Sequence, residues 1–188
     1  MRTETIRCGR LILRRLCPED ARALHENCSS DEKVVRYLER GACFDPEITK
    51  ALVKDWIDRY EMDDFFLWAV EFSGQVIGTV NLHDIDRENR RCEIGFSIGS
   101  KWWNQGIMTE AAGAVVCHAF SALGFERVVG WCAAGNAASA RVMEKIGMKK
   151  ERSEPSAVRL SGGERADRIW YSLRKEEAAK RFREVFDL

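Results

Sequence analysis

The segment from Ile98 to Ala111 constrains the fold of this 188-residue chain more than any other. An alternating apolar run ends there, a polar turn follows at residues 103–106, and a helix of small residues begins near residues 107–109. Such a turn leaves backbone N–H groups unpaired at the N-terminus of the helix, where the helix dipole presents about half a positive charge. A diphosphate fits that field, so the segment predicts an anion site between a strand and a helix.

Length and charge narrow the class of protein. The chain is long enough for one well-cored domain, and its 30 basic residues balance 30 acidic ones, which argues against a nucleic-acid partner. No apolar run reaches the length of a membrane span and no signal-peptide pattern is present, so we expect a cytoplasmic protein with no membrane partner. The seven cysteines lack metal-ligand spacing, and we expect free thiols and no metal.

The remaining segments predict an α/β domain with a mostly antiparallel sheet. Turn residues and apolar periodicity predict strands near residues 11–16, 65–72, 75–83, 91–99, 127–133, 148–151 and 167–173. They predict helices near residues 18–27, 46–60, 109–123 and 137–146, a loop over 154–165 and a last helix with Phe182 and Phe186 on one side. Strand, helix and strand over residues 91–133 indicate a parallel crossover.

Alternation within the predicted strands separates polar from apolar faces. In the second hairpin strand Val76, Val80 and Leu82 share one face, which leaves Thr79, Asn81 and His83 on the other. In the next strand Glu93 and Ser97 alternate with apolar residues. The two polar rows lie side by side only in one register, which the sequence leaves open.

The usual nucleotide motifs are missing around the anion turn. A dinucleotide site needs Gly-x-Gly-x-x-Gly after the first strand, whereas the turn itself holds only Gly106 and follows a hairpin. An ATP loop needs Gly-x-x-x-x-Gly-Lys-Ser/Thr, and the Gly95, Gly99, Ser100 and Lys101 series breaks that spacing. Neither common nucleotide fold fits.

The order of elements and four motifs resemble the GNAT superfamily of N-acetyltransferases, and most closely its RimJ/RimL-like branch. The motifs are Arg10-Leu-Ile-Leu-Arg14, Glu93-Ile-Gly-Phe96, the turn from Trp103 to Ala111, and the segment from Asn136 to Met148. Trp103 stands where the superfamily usually has Gln or Arg, Asn104 where Gly is common, and Met108 where a small residue is common. The resemblance covers essentially the whole chain.

This resemblance implies a single GNAT-like domain over residues 1–188, with a sheet splayed near Ile98 and Trp131. Within it, residues 1–62 would form the first strand and acceptor-side helices, 63–153 the acetyl-CoA core, 154–174 a terminal hairpin and 175–188 a C-terminal helix. Acetyl-CoA would be the co-substrate, bound by Phe96, Ser97, Ile98, Trp103, Asn104, Gln105, Gly106, Ile107, Met108, Thr109, Asn136 and Ser139. The terminal helix would pack on its own domain or on the second subunit of a homodimer.

Acetyl transfer to an amine needs a neutral nucleophile and a proton for the departing thiolate. Roughly a tenth of an α-amine is neutral at pH 7, whereas lysine costs about 4.6 kcal/mol to deprotonate, so a weakly basic amine needs little help. We expect Glu93, directly or through water, to be the base, because it lies on the polar face of the strand leading to the turn. By resemblance Ser139 donates to the sulfur, with Tyr171 as the alternative acid.

The acceptor is an amine on a peptide N-terminus or a small molecule, and the sequence does not choose between them. Candidate acceptor residues are Trp68, Asn81, His83 and Trp131. A covalent route through Cys92 or Cys132 would need an activated thiol, and neither has a neighbouring base, so direct transfer is preferred. The competing interpretation is a non-catalytic acyl-CoA-binding protein on the same fold.

Overall fold

An eight-stranded mixed sheet forms the centre of the computed structural model, which describes residues 2–37 and 43–179. The strands are β1 (Ile6–Cys8), β2 (Leu11–Arg14), β3 (Phe66–Phe72), β4 (Gln75–Asp86), β5 (Arg91–Ile98), β6 (Arg127–Ala133), β7 (Lys149–Arg159) and β8 (Arg165–Arg174). The α-helices are α1 (Asp20–Leu24), α2 (Glu32–Val35), α3 (Pro46–Arg59), α4 (Ile107–Ser121) and α5 (Ala137–Lys145). A π-helix (His25–Ser29) follows α1, and a 3₁₀-helix (Ser100–Trp102) follows β5.

The sheet has the order β1-β2-β3-β4-β5-β6-β8-β7, and each adjacent pair is antiparallel except β5 and β6. The predicted parallel crossover through α4 is therefore confirmed. β5 and β6 pair only as far as Glu93 and Val129, and beyond that point the two strands have no paired residues. The predicted splay is thus present, and it begins several residues before Ile98.

Helices cover both faces of the sheet. α4 packs on one face through small residues, and Ala111 and Ala112 are fully buried there, as the predicted stripe requires. On the opposite face α1, the π-helix and α3 enclose a second apolar cluster that includes Leu24, Val53 and Leu67. The anion turn (residues 103–106) lies on the α4 side of the sheet. The polar residues of β4 and β5, here called the polar row, lie on the side of α1 and α3.

The prediction that Val76 shares a face with Val80 is wrong. Val70 pairs with Gly78 and Glu71 with Val76, so Ile77 is an extra residue that forms a β-bulge in β4. A bulge shifts the alternation by one position, and Val76 consequently joins the cluster under α1 and α3 whereas Val80 lies under α4.

The apolar face of α3 also differs from the prediction. Asp45 caps the helix by accepting a hydrogen bond from the Glu47 N–H at 2.9 Å. Ile48, Leu52, Trp56 and Tyr60 recur every four residues in the sequence, which predicts a buried apolar face, but Ile48 is 59% exposed, while Thr49 and Val53 are buried. The buried side of α3 is turned by about one residue, or about 100°, from Ile48 toward Thr49 and Val53, which face α1 and the π-helix.

The C-terminal part is more regular than predicted. The expected loop over residues 154–165 belongs mostly to β7 and β8, which leave only residues 160–164 as a turn. Phe182 and Phe186 of the predicted last helix lie outside the described residues. Within the described part of the chain, no helix is both long and apolar enough to cross a membrane.

Candidate active site

The turn between β5 and α4 has the geometry that its sequence predicts. Gly106 precedes the helix with a φ of +75°, a left-handed conformation that favours glycine, and Asn104 has a φ of +61°. The first N–H groups of α4 have no acceptor within the helix. The Arg10 guanidinium braces the turn from outside, donating to the Gln105 carbonyl at 3.1 Å and to the Glu110 carboxylate at 3.0 Å.

A cavity of about 330 Å³ opens in front of this turn. Most of the predicted cofactor residues line it, namely Phe96, Ser97, Ile98, Trp103, Asn104, Gly106, Ile107, Met108, Thr109, Asn136 and Ser139. Gln105 does not line it, because its side-chain amide donates to the Lys101 carbonyl. We call this space the donor cavity.

Sequence reasoning missed the basic residues of the donor cavity. Lys33, Arg141 and Lys145 line it together with Tyr37. Arg141 and Lys145 are four residues apart on α5, which places both side chains on one face of the helix. This spacing, after the Asn136 cap, is the sequence signal that could have identified them as residues of the site. These three cations favour a phosphorylated ligand.

The N-terminus of α5 forms one rim of the donor cavity. Asn136 caps the helix, and its Oδ1 accepts a hydrogen bond from the Ser139 N–H at 3.2 Å. This cap holds the first turn in place, and the half-buried Ser139 lines the cavity. The predicted capping role of Asn136 is therefore confirmed.

The diverging strands supply unpaired backbone groups. Beyond Glu93, the edge of β5 that faces β6 has no strand partner. Gly130 lies where the strands separate, and a Cβ there would come within 3.2 Å of the Ile94 carbonyl. Trp103 uses one group on this edge, donating from Nε1 to the Ile98 carbonyl at 2.9 Å. The other groups are available to an extended ligand.

A larger cavity of about 630 Å³ lies against α1, α2 and α3. It shares Val34, Phe96 and Ser97 with the donor cavity, so the two spaces meet at the end of β5. We call it the acceptor cavity. The arrangement allows two ligands to approach each other at one point.

The polar rows of β4 and β5 lie side by side along the acceptor cavity. The register pairs Thr79 with Ser97, Asn81 with Gly95 and His83 with Glu93. All of these except Glu93 line the cavity. The Thr79 and Ser97 hydroxyls are 3.4 Å apart. The register that the sequence left open therefore brings the candidate polar residues together.

Glu93 is the buried carboxyl of this row. Its side chain is 5% exposed, and its Oε1 lies 3.7 Å from His83 Nε2. Burial raises the pKa of Glu93, whereas the charge of His83 and a hydrogen bond from Trp131 oppose the rise. His83 Nδ1 lies 3.1 Å from Asp84 Oδ2, so one imidazole contacts two carboxylates. Their ligand atoms lie within 4.8 Å of one another, a spacing that also suits a metal ion.

Three other predicted site residues do not line either cavity. Trp68 is fully buried, donates from Nε1 to the Glu4 carbonyl at 2.7 Å, and packs against His118 of α4. It points to the α4 face because it is paired with Val80. Trp131 contacts Glu93 instead. Tyr171 is buried, and its hydroxyl interacts with Glu144.

The two candidate nucleophilic thiols are not activated. Burial raises the pKa of Cys92 to about 12 and that of Cys132 to about 11. Both thiols are therefore protonated at neutral pH, which disfavours a covalent route.

Comparison with known proteins agrees with this architecture. The acetyltransferase (GNAT) domain family matches residues 10–149. The uncharacterized N-acetyltransferase YoaA of Bacillus subtilis (strain 168) is 32% identical over 144 residues, covering 76% of this chain and 81% of YoaA. The crystal structure of a GNAT-family acetyltransferase from Bacillus anthracis superposes with a TM-score of 0.81 at 29% identity, covering 93% of this chain and all of that one. RimL, a ribosomal-protein α-N-acetyltransferase solved with coenzyme A, shares the fold, with a TM-score of 0.76 at 22% identity over 91% and 98% of the chains.

Proposed function

The chain belongs to the acetyltransferase (GNAT) family and is an acyltransferase, and from this premise we propose that it transfers acetyl from acetyl-CoA directly to a primary amine. The acceptor is a peptide N-terminus or a small molecule. The observation that carries the proposal is the meeting of the donor and acceptor cavities at Phe96 and Ser97, with an anion turn in one and a carboxylate-imidazole pair beside the other.

The donor cavity fits acetyl-CoA in three respects. The first turn of α4 offers N–H groups to a diphosphate, and Lys33, Arg141 and Lys145 offer cations to the phosphates. The unpaired edge of β5 offers backbone groups to an extended amide chain. Acetyl-CoA supplies the thioester. That RimL was solved with coenzyme A in the same fold supports this assignment.

Glu93 is the proposed base, and His83 connects it to the acceptor. Glu93 is buried behind His83, whereas His83 lines the acceptor cavity. The proton lost by the amine passes first to His83 Nε2. It then passes from that nitrogen to Glu93 Oε1, 3.7 Å away, directly or through one water, so that His83 returns to its neutral form and Glu93 ends protonated. A raised pKa suits Glu93 to this role, since a base works best when its pKa approaches the working pH.

Ser139 is the proposed donor to the departing thiolate. It lines the donor cavity at the first turn of α5, where the helix dipole also favours negative charge. Tyr171, the alternative acid, lies away from both cavities beside Glu144. We therefore assign the thiolate contact to Ser139 alone.

A screen of amines, read by release of the coenzyme A thiol, tests this function. We expect acetyl-CoA to bind in calorimetry and Glu93→Gln to lower kcat by about 100-fold or more. Ser139→Ala removes a hydrogen bond to a charged group, and we expect a loss of roughly 10-fold to 100-fold. Glu88→Gln, at an exposed residue between β4 and β5, is the matched control and keeps wild-type turnover.

The screen also separates the two competing interpretations. A non-catalytic acyl-CoA-binding protein would bind acetyl-CoA and release no thiol with any amine. Adding a chelator to the assay tests whether Glu93 binds a metal ion instead of acting as a base. Turnover that persists in EDTA supports the base role, whereas turnover that is lost in EDTA and restored by a divalent metal contradicts it.

A further inference from the structure

The proposed function does not specify which kind of amine binds in the acceptor cavity, but the residues that line the cavity favour some amines over others. Building on that function, we propose that the acceptor is an amine with a single positive charge and a large apolar or aromatic side group. The amino group lies at the polar row, and the side group lies between the helices and β3.

The helices and the β3 region contribute mainly apolar side chains to the cavity, together with the hydroxyls of Ser29 and Thr49. α1, α2 and α3 contribute Leu24, Val35, Leu52 and Trp56, and the β3 region contributes Phe65 and Leu67. Leu24, Val35 and Leu67 are buried, and Leu52, Trp56 and Phe65 are partly buried. A side group that covers these surfaces removes apolar area of both ligand and protein from water.

The charged side chains of the cavity are committed to protein partners. Asp64 forms an ion pair with Arg87. Arg59 lies 4.5 Å from the centre of the Phe65 ring and 3.9 Å from Asp55. Asp84 is the remaining carboxylate that lines the cavity among the described residues, and it contacts His83 at the polar row. Among the described residues, the cavity therefore offers a carboxylate that is not paired with an arginine or a lysine only at Asp84.

Polycations fit this distribution poorly. With one ammonium at His83 and Asp84, the next ammonium of a polyamine or aminoglycoside would face the apolar wall. Burying an unpaired charge there is strongly unfavourable. A volume of about 630 Å³ is enough for one amine with a side group of leucine or phenylalanine size.

A series of amino-acid amides isolates the side group, because its members share the same α-amino group. Alaninamide, leucinamide, phenylalaninamide and lysinamide are compared by kcat/KM for acetyl transfer, with spermidine as the polyamine. Leucine has three more carbons than alanine, so we expect kcat/KM to rise by about 10-fold to about 60-fold between them. Lysinamide and spermidine fall below leucinamide. A flat series, or a preference for lysinamide or spermidine, overturns the proposal.

Leu52→Asp and Ala51→Asp form a matched pair of variants on α3. Leu52 lines the cavity, whereas the exposed Ala51 does not. We expect Leu52→Asp to erase the preference for leucinamide over alaninamide while acetyl-CoA affinity is unchanged, and Ala51→Asp to retain the preference. If Leu52→Asp does not fold, Leu52→Ala replaces it and reduces the preference. A preference that persists in a folded Leu52 variant contradicts the proposal.

Calorimetry separates this inference from the proposed function. Each amide is titrated into the protein saturated with coenzyme A. Tighter binding of leucinamide than alaninamide without any turnover supports the acceptor class and contradicts the catalytic function. Glu93-dependent turnover of lysinamide or spermidine, without the apolar preference, supports the function and contradicts the acceptor class.

Discussion

Replacing Gly95 with alanine perturbs the polar row without touching the donor cavity. A Cβ on Gly95 would lie 2.6 Å from Asn81 Oδ1 and 3.3 Å from His83 Nε2. Non-bonded heavy atoms prefer about 3.5 Å or more, so the Asn81 amide must move by about 1 Å and the His83 ring by less. These are the side chains that we place against the amine.

The expected effect on activity is much larger than the effect on stability. A misplacement of about 1 Å in a catalytic group can cost about 100-fold in rate. Overpacking lowers the free energy of unfolding by about 1–3 kcal/mol, whereas the reduced entropy of the unfolded chain raises it by about 0.4–1 kcal/mol. The net effect is a loss of stability of about 1 kcal/mol. That loss lowers Tm by about 2–4 °C and leaves the protein folded at 25 °C.

Kinetics and calorimetry on Gly95→Ala and Gly162→Ala test this reasoning. A Cβ on Gly162 would meet nothing within 4 Å, so this variant controls for the gain of a methyl group in a folded chain. We expect kcat/KM for the amine to fall by about 100-fold in Gly95→Ala only, with acetyl-CoA affinity within about twofold of wild type. Wild-type activity in Gly95→Ala would refute the placement of the amine at Asn81 and His83.

Three further predictions concern the base, the α5 cap and the thiol. Burial raises the pKa of Glu93 and the base must be deprotonated, so kcat/KM, which already falls below the pKa of the amine, falls more steeply once the pH drops through a value above the usual glutamate range. The extra steepness is absent in Glu93→Gln, and an unchanged pH profile in that variant would contradict the assignment. Asn136→Ala lowers the free energy of unfolding by about 1 kcal/mol, because the helix loses its cap. Asn136→Asp keeps the cap but adds negative charge to the donor cavity, so acetyl-CoA binds more weakly in titrations. Equal acetyl-CoA affinity in the two variants would argue against the placement of the phosphates beside Asn136. Cys132→Ser keeps wild-type turnover in thiol-release assays, since a thiol with a pKa of about 11 is ionised in about one molecule in ten thousand at pH 7. Loss of activity in a folded Cys132→Ser variant would instead support a covalent acetyl-cysteine intermediate.

Local pattern was enough to predict the donor side of the molecule. The turn before α4, the small-residue face of that helix and the Asn136 cap each depend on residues close together in the chain. Their backbone conformations follow from glycine at a positive φ and from helix-terminus geometry, as Gly106 shows.

The acceptor side depends on long-range register, which alternation alone does not determine. One bulge at Ile77 moved Val76 to the other face, and alternation did not reveal that Trp68 points toward α4. The walls of the acceptor cavity come from α1, α2, α3 and β3, which are separated along the chain. No motif in those segments marks Leu52 or Trp56 as neighbours of His83, so their role became visible only in the structure.

Transfer of a labelled acetyl group tests the central claim most directly. The protein is mixed with acetyl-CoA that carries deuterium in the acetyl group and with leucinamide, and the products are followed by mass spectrometry. The account predicts labelled N-acetyl-leucinamide and free coenzyme A in equal amounts, at a rate that falls by about 100-fold or more in Glu93→Gln. Binding of acetyl-CoA without labelled product from any amine of the screen, or an unchanged rate in Glu93→Gln, would contradict it.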